Sequence, residues 1–187
     1  MNYAQYKFAR DLSWKILIHE RVCALPVSMS GLCRQMGIEV KYDDKVRLDD
    51  GCGGMAMKKG RRYVIIVRRS DPPQRQRFTI AHELGHILAG DVGRYKLVNR
   101  EPSPQDNQIE TRANVIGSRI LAPACVLWGC GVQSTADIAE LCDISETAAS
   151  FRWQRMQLLY ARGKFLSSPL ERQVFEQFRD YIQEHKL

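Results

Sequence analysis

Apolar residues recur every three or four positions over both ends of this chain, whereas around residues 38–67 they alternate or run in short blocks. That change of period predicts helices flanking a few strands, an α+β arrangement. Residues 4–24 read as an amphipathic helix with Leu12, Ile16, Leu17 and Cys23 inward, ended by Pro26. Ser28 is the expected cap of a short helix that Gly37 terminates. Strands are expected near 38–42, 54–58 and 62–67, with turns at Asp43-Asp44 and Asp49-Asp50-Gly51; their order predicts a small antiparallel sheet. Asp71 and Pro72 mark the start of a helix that Gly90 stops. Residues 90–108 are polar, carry Pro102 and Pro104, and read as a long loop at a cleft edge. A further helix presents Ile109, Ala113, Ile116, Gly117 and Ile120 on one face.

From about Val132 the chain is helical without evident chemistry. Residues 134–142, 143–145 and 146–160 have a helix-turn-helix rhythm in which Asp143 stands where glycine would ease the turn. Trp153, Phe151, Leu158 and Leu159 are expected in the core. Residues 169–186 read as one more amphipathic helix, through Leu170, Val174, Phe175, Phe178 and Ile182. The expected division is a core over 1–131 and a helical lobe for packing or docking over 132–187.

With 187 residues, 44% of them hydrophobic, the chain can bury one sizeable core and a smaller second lobe. No apolar run approaches the ~18 residues of a membrane span, and no basic-then-apolar leader opens the sequence. A cytoplasmic protein without a membrane partner is expected. Six cysteines show no Cys-x-x-Cys pair and read as small buried hydrophobes in a reducing compartment. The net charge of +7 is concentrated: residues 58–77 hold eight basic side chains against the single acid Asp71. Arg68, Arg69, Arg75 and Arg77, just ahead of the apolar helix, are candidates for steering an acidic protein substrate. Residues 132–187 hold seven basic and eight acidic side chains, a poor balance for a phosphate-binding face, so direct nucleic-acid binding is not expected.

The chemistry is concentrated in Phe78-Thr79-Ile80-Ala81-His82-Glu83-Leu84-Gly85-His86-Ile87-Leu88. Residues four apart share a helix face, so His82 and His86 can present two imidazoles to one metal ion. Glu83 lies one step round, placed to act on a water rather than to ligate. Two histidines and a carboxylate base in this order suit zinc-assisted hydrolysis. A catalytic zinc site takes three protein ligands, and the other two histidines, His19 and His185, lie near the chain ends. A carboxylate is therefore the expected third ligand. Glu110, bordering the apolar face of the next helix, is the best candidate; Asp91 and Asp106 are the fallbacks, each placed where capping is the ordinary role. Asn114, one turn after Glu110, is suited to hold that carboxylate or brace a loop.

Residues 77–86, the segment Ile109-Glu110-Thr111-Arg112-Ala113-Asn114 and the tripeptide Leu121-Ala122-Pro123 together resemble the ImmA/IrrE family of bacterial zinc metallopeptidases. The tripeptide departs mildly from the family's Leu-Met-Pro-like form. The resemblance spans roughly residues 15–130. It implies a zincin-like core built on a metal-binding helix pair, and a protein substrate, typically a helix-turn-helix transcriptional repressor of mobile-element or stress genes. On this reading His82, His86 and Glu110 hold Zn2+, and Glu83 is the catalytic base. Tyr95 and Arg112 are candidate transition-state stabilisers. The alternatives are a non-hydrolytic metal-containing regulator and a toxin-antitoxin-type interaction protein. A closed structural site would need a fourth protein ligand, and no third nearby histidine or suitably spaced cysteine supplies it.

Overall fold

The computed structural model describes residues 2–44, 53–93 and 104–187, with the backbone alone over 104–107. Among these residues the chain forms nine helices and one three-stranded sheet, an α+β architecture. They cluster into two compact units: Met1–Leu12 with Met29–Gly117, and Ser13–Ser28 with Ser118–Leu187.

In the first unit, helix α2 (Met29–Gln35) buries Met29, Leu32 and Cys33, and Gly37, at φ 70°, turns the chain into strand β1 (Glu39–Tyr42). Strands β2 (Gly54–Lys59) and β3 (Arg62–Val67) make a hairpin. Its two-residue turn places Gly60 at φ 62°, the left-handed first position that a type II′ turn requires. The sheet order is β1-β3-β2, with β1 parallel and β2 antiparallel to β3. The sheet is thus mixed, a correction to the antiparallel arrangement expected above. Strand β3 carries the buried run Val64-Ile65-Ile66-Val67, so it takes the centre, paired on both sides. The hairpin occupies one side of β3, and β1, arriving on the other, runs parallel to it with Glu39 opposite Val64.

Helix α3 (Pro73–Ala89) follows, its first-turn proline losing no needed donor. Its far end closes as a Schellman turn: the Gly90 N–H bonds the Ile87 carbonyl at 3.1 Å and the Asp91 N–H bonds the His86 carbonyl at 2.9 Å. This helix lies close on the start of β2. A Cβ at Gly54 would sit 2.5 Å from Thr79 Cγ2 and 2.6 Å from the Ile66 carbonyl oxygen, so only glycine fits.

Helix α4 (Pro104–Leu121) approaches α3 as closely. A Cβ at Gly85 would meet the Ala113 carbonyl oxygen at 2.8 Å, and one at Gly117 would meet the Ala81 carbonyl oxygen at 2.9 Å. Position 85 faces 113 and position 81 faces 117, so the two helices run antiparallel. Beside that contact the side chain of His86 meets Glu110 and that of His82 meets Asn114. The spacing of Glu110 from the histidines in sequence is therefore the spacing this crossing converts into proximity.

The second unit is helical. It takes Trp14 and Leu17, both buried, from α1 (Tyr3–His19), then α5 (Ala124–Gly129), α6 (Thr135–Cys142), α7 (Glu146–Ala161), α8 (Pro169–Gln177) and α9 (Arg179–Glu184). Helix α1 ends five residues before the expected limit, with Arg21 at φ 52°, and Cys23 is exposed rather than inward. The six-residue α5 was not anticipated. A Cβ at its Gly129 would meet Phe175 at 2.7 Å and Ile182 at 2.9 Å, so the last helices pack directly on it. The expected single tail helix is two, divided at Phe178. On α7 the buried residues are Ala149, Arg152 and Met156, which leaves Phe151 70% and Leu158 48% exposed. The expectation that these two lie in the core is corrected: they share the face opposite the buried one. Burial pushes the thiols of Cys33 and Cys125 up to about 12, as inert core residues. Among the described residues no helix is long and apolar enough to cross a membrane.

Candidate metal centre

His82 and His86 stand one turn apart on α3, and Glu110 reaches both from α4. His82 Nε2 lies 3.0 Å from His86 Nε2 and 3.1 Å from Glu110 Oε2; His86 Nε2 lies 3.3 Å from Glu110 Oε1. The far ring nitrogens are also engaged. His82 Nδ1 is 2.8 Å from Asn114 Oδ1, and His86 Nδ1 is 3.3 Å from Asp91 Oδ2. Amide and carboxylate oxygens accept, so Nδ1–H is the donor in each ring, and each imidazole in its neutral form turns a bare Nε2 inward. In that neutral form two Nε2 lone pairs and a carboxylate converge, an arrangement that a cation relieves.

The separations suit such an ion. Ligand bonds of about 2.0–2.1 Å at tetrahedral angles put donor atoms roughly 3.3 Å apart. The three side chains are also a group whose ligand atoms all lie within 4.8 Å of one another. Glu110 is 53% exposed, so the cluster is open on that side. Hydrogen bonds from the protonated rings, His82 first and then His86, hold the Glu110 carboxyl well below the usual range. Burial alone would push His86 down, but the carboxylates of Glu110, Glu83 and Asp91 outweigh it and hold it above its ordinary value.

Glu83 is 7% exposed. Thr79 and Glu83, one turn apart, follow the line of β2: Thr79 lies at Gly54, and the Glu83 carboxylate accepts from the Ala56 N–H. Desolvation raises its pKa, overcoming the opposing pull of His82 and His86. A buried carboxylate with a raised pKa beside two imidazoles is fitted to take and return a proton.

Asp91 is not among the converging donors. The Schellman turn carries it back beneath His86, and its other oxygen takes the Nη2 of Arg112 in an ion pair. Arg112, considered above for the transition state, is held there by Asp91. The signal for this was present: a left-handed glycine at a helix end returns the next residue toward the last turn. The Ala56 N–H had no sequence signal, because any residue type supplies it. Tyr95 lies outside the described residues, as does the side chain of Asp106. Of the four candidate steering residues, Arg69 bonds the Tyr42 carbonyl at 2.8 Å and Arg75 pairs with Asp71 at 3.2 Å. Arg68 is half-buried after β3, and Arg77 is half-buried on α3.

The sequence is similar to known proteins. Residues 33–157 match the model of the peptidase family M78, the IrrE N-terminal-like domain, a match that begins later and ends later than the resemblance expected over roughly 15–130. The chain is 33% identical over 97 residues to the radiation response metalloprotease IrrE of Deinococcus radiodurans, covering 47% of this chain and 30% of that protein. It is 32% identical over 98 residues to the protein of the same name from Deinococcus deserti, covering 48% of this chain and 35% of the relative. The matched part spans about a third of the length of these relatives.

Proposed function

The chain belongs to the IrrE N-terminal-like domain family of metallopeptidases, and from that premise we propose that it is a zinc-dependent endopeptidase acting on a protein substrate. The observation that carries this reading is the convergence of two imidazole nitrogens and the Glu110 carboxylate beside the buried carboxylate of Glu83. His82, His86 and Glu110 would hold the ion, with Asn114 and Asp91 fixing the ring orientations. When bound, zinc at such a donor set supplies Lewis acidity, lowering the pKa of a coordinated water toward ~7 and polarising a carbonyl.

The chain's own groups supply the proton traffic. Glu83 takes a proton from the attacking water on its carboxylate and returns it to the leaving amine. Its burial keeps bulk water from competing for that proton, and the Ala56 N–H fixes the carboxylate in place. The half-exposed side of Glu110 leaves the approach for a peptide. A helix-turn-helix transcriptional repressor is the proposed substrate, on the strength of the family alone, with the catalytic core over 1–131 and the lobe over 132–187 docking or packing. Four buried thiols suit the reducing cytoplasm, the proposed location.

The test is Glu83→Gln. The amide preserves shape but takes no proton, so cleavage of a peptide library by the zinc-loaded chain is expected to fall by roughly 10²- to 10⁴-fold. Elemental analysis should still find about one zinc per chain, a retention that His82→Ala or His86→Ala abolishes because each removes one of three ligands. Cleavage by Glu83→Gln at the parent rate would sink the assignment.

A further inference from the structure

The concentration of positive charge in the first unit divides in two once folded. Arg69 and Arg75 are occupied within the chain, whereas the hairpin tip is not. Lys58, Lys59, Gly60, Arg61 and Arg62 are five consecutive exposed residues with four cations and no acid. Among the described residues none of the four pairs with a carboxylate; the one contact they make is Lys58 Nζ over the Tyr63 ring, 5.9 Å from its centroid.

The tip is also arranged against its own stability. Lys59 and Arg62 are direct cross-strand partners in the β2–β3 register. Like charges directly opposite one another destabilise a hairpin, and the tight turn at Gly60 keeps them from splaying apart. A local conflict of this kind, held on a rigid element, marks a place where something outside the fold supplies the balance.

The strand itself says what that is. Ala56, whose N–H meets Glu83, lies on β2 two residues before Lys58 and three before Lys59. At about 3.3–3.4 Å per residue the first cation of the tip is some 7 Å, and the second some 10 Å, from the catalytic carboxylate's anchor. An extended peptide has nearly the same rise, so this distance equals two or three of its residues.

We propose that Lys58, Lys59, Arg61 and Arg62 form a subsite for acidic side chains, selecting polypeptide segments that carry Asp or Glu two or three residues from the cleaved bond. The inference rests on the peptidase reading and adds the chemical class of segment it takes. A polypeptide is favoured over nucleic acid because two of the cations, Lys58 and Lys59, share β2 with the group that meets Glu83, and the other two continue the same hairpin. An occupant of that centre brings its own side chains to the tip.

The test uses the zinc-loaded chain, a variant with Lys58, Lys59, Arg61 and Arg62 all replaced by Gln, and two matched peptide libraries differing only in Glu against Gln. The parent is expected to prefer the Glu library about five- to tenfold in kcat/KM at low salt, with mass spectrometry placing Glu two or three residues from the cut. Salt near 0.5 M should erase the preference, because exposed charges are screened, and so should the four substitutions, leaving cleavage of the Gln library unchanged. Equal cleavage of both libraries by the parent, or a preference that survives in the variant, overturns the proposal. If neither library is cleaved, the peptidase reading fails separately. Fluorescence anisotropy with a fluorescein-labelled Glu-rich 12-mer then decides: tighter binding by parent than by variant supports the subsite, and equal binding overturns it. Loss of affinity for a 20-bp DNA duplex with acidic-peptide binding unchanged also overturns it. Thermal melting guards against a structural role. Lys59→Gln should hold or raise Tm, and a fall would assign the cations to hairpin stability and overturn the proposal.

Discussion

Two helix pairs in this molecule, α3 with α4 and α6 with α7, use polar side chains in opposite ways. In the second pair every polar contact at the helix starts is local. The Ser134 hydroxyl donates to Asp137 Oδ1 at 2.6 Å and accepts from the Asp137 N–H at 3.1 Å, and the Ser145 hydroxyl accepts from Ala148 at 3.3 Å. These residues cap their own helices and ask nothing of the rest of the chain. In the first pair the contacts join residues 24 to 32 positions apart, and they end with two imidazole nitrogens and a carboxylate facing one another. Helical periodicity is common to both. What separates a functional pair from a structural one is whether its polar atoms are satisfied within the chain.

That contrast depends on backbone proximity, and glycine supplies it. Gly117→Ala is expected to have the largest effect, since its Cβ would lie 2.9 Å from two backbone atoms of Ala81 and 3.0 Å from the His82 nitrogen. Backbone cannot swing aside as a side chain does, so overpacking should cost about 1–3 kcal/mol. The helices must separate or slide, moving Glu110 from the histidines and weakening metal binding by more than about tenfold. Gly129→Ala in the second unit is the comparison. Its Cβ meets only the side chains of Phe175 and Ile182, so it should lower Tm and leave metal affinity alone. Chelator competition and melting on both variants check this. Equal metal loss in the two would mean that global destabilisation, not helix spacing, governs the site.

Much of the first pair was legible in sequence, and the reasons are particular. His82 and His86 are four apart in a helix-compatible run, so their shared face needs no tertiary knowledge. Glu110 borders an apolar face that had to pack somewhere, and Gly85 and Gly117 both lie on the contact. The direction of β1 was not legible, because its pairing with β3 depends on which edge the hairpin leaves open. Helix α5 is too short for a period to register. Phe151 and Leu158 misled because α7 is apolar on more than one face, and hydrophobicity alone does not say which face is covered.

A smaller effect is expected from the residues behind the ligands. Asp91→Asn keeps the shape but removes the charge that His86 Nδ1–H and Arg112 both use. Loss of such a partner weakens metal binding about 10- to 100-fold. Arg112→Ala separates two roles for that arginine. If it acts through Asp91, metal affinity falls with it; if it acts on the reacting peptide, kcat falls while chelator competition is unchanged. The geometry favours the first outcome, because its Nη2 already sits on Asp91.

The smallest effect belongs to the self-satisfied pair. The Ser134 hydroxyl, with the backbone N–H groups of Gln133 and Ser134, lowers the Asp137 pKa against a slight opposing burial. A folded-state pKa below the unfolded value means the cap's contribution is fully present above the unfolded value of about 3.9. It is lost as pH falls through the lower, folded one. Against Asp137→Asn, the parent should therefore be more stable at pH 7 by roughly 0.5–1 kcal/mol. For a domain of this size that is about 1–4 °C in Tm. The advantage should shrink below about pH 4. Melting both proteins across pH 3–7 isolates the difference, since every other carboxylate titrates alike in the two. A gap that stays constant down to pH 3 would show that Asp137 is not charged-capped in the fold. Metal content should not differ between the two at any pH, because no atom of this cap takes part in the α3–α4 cluster.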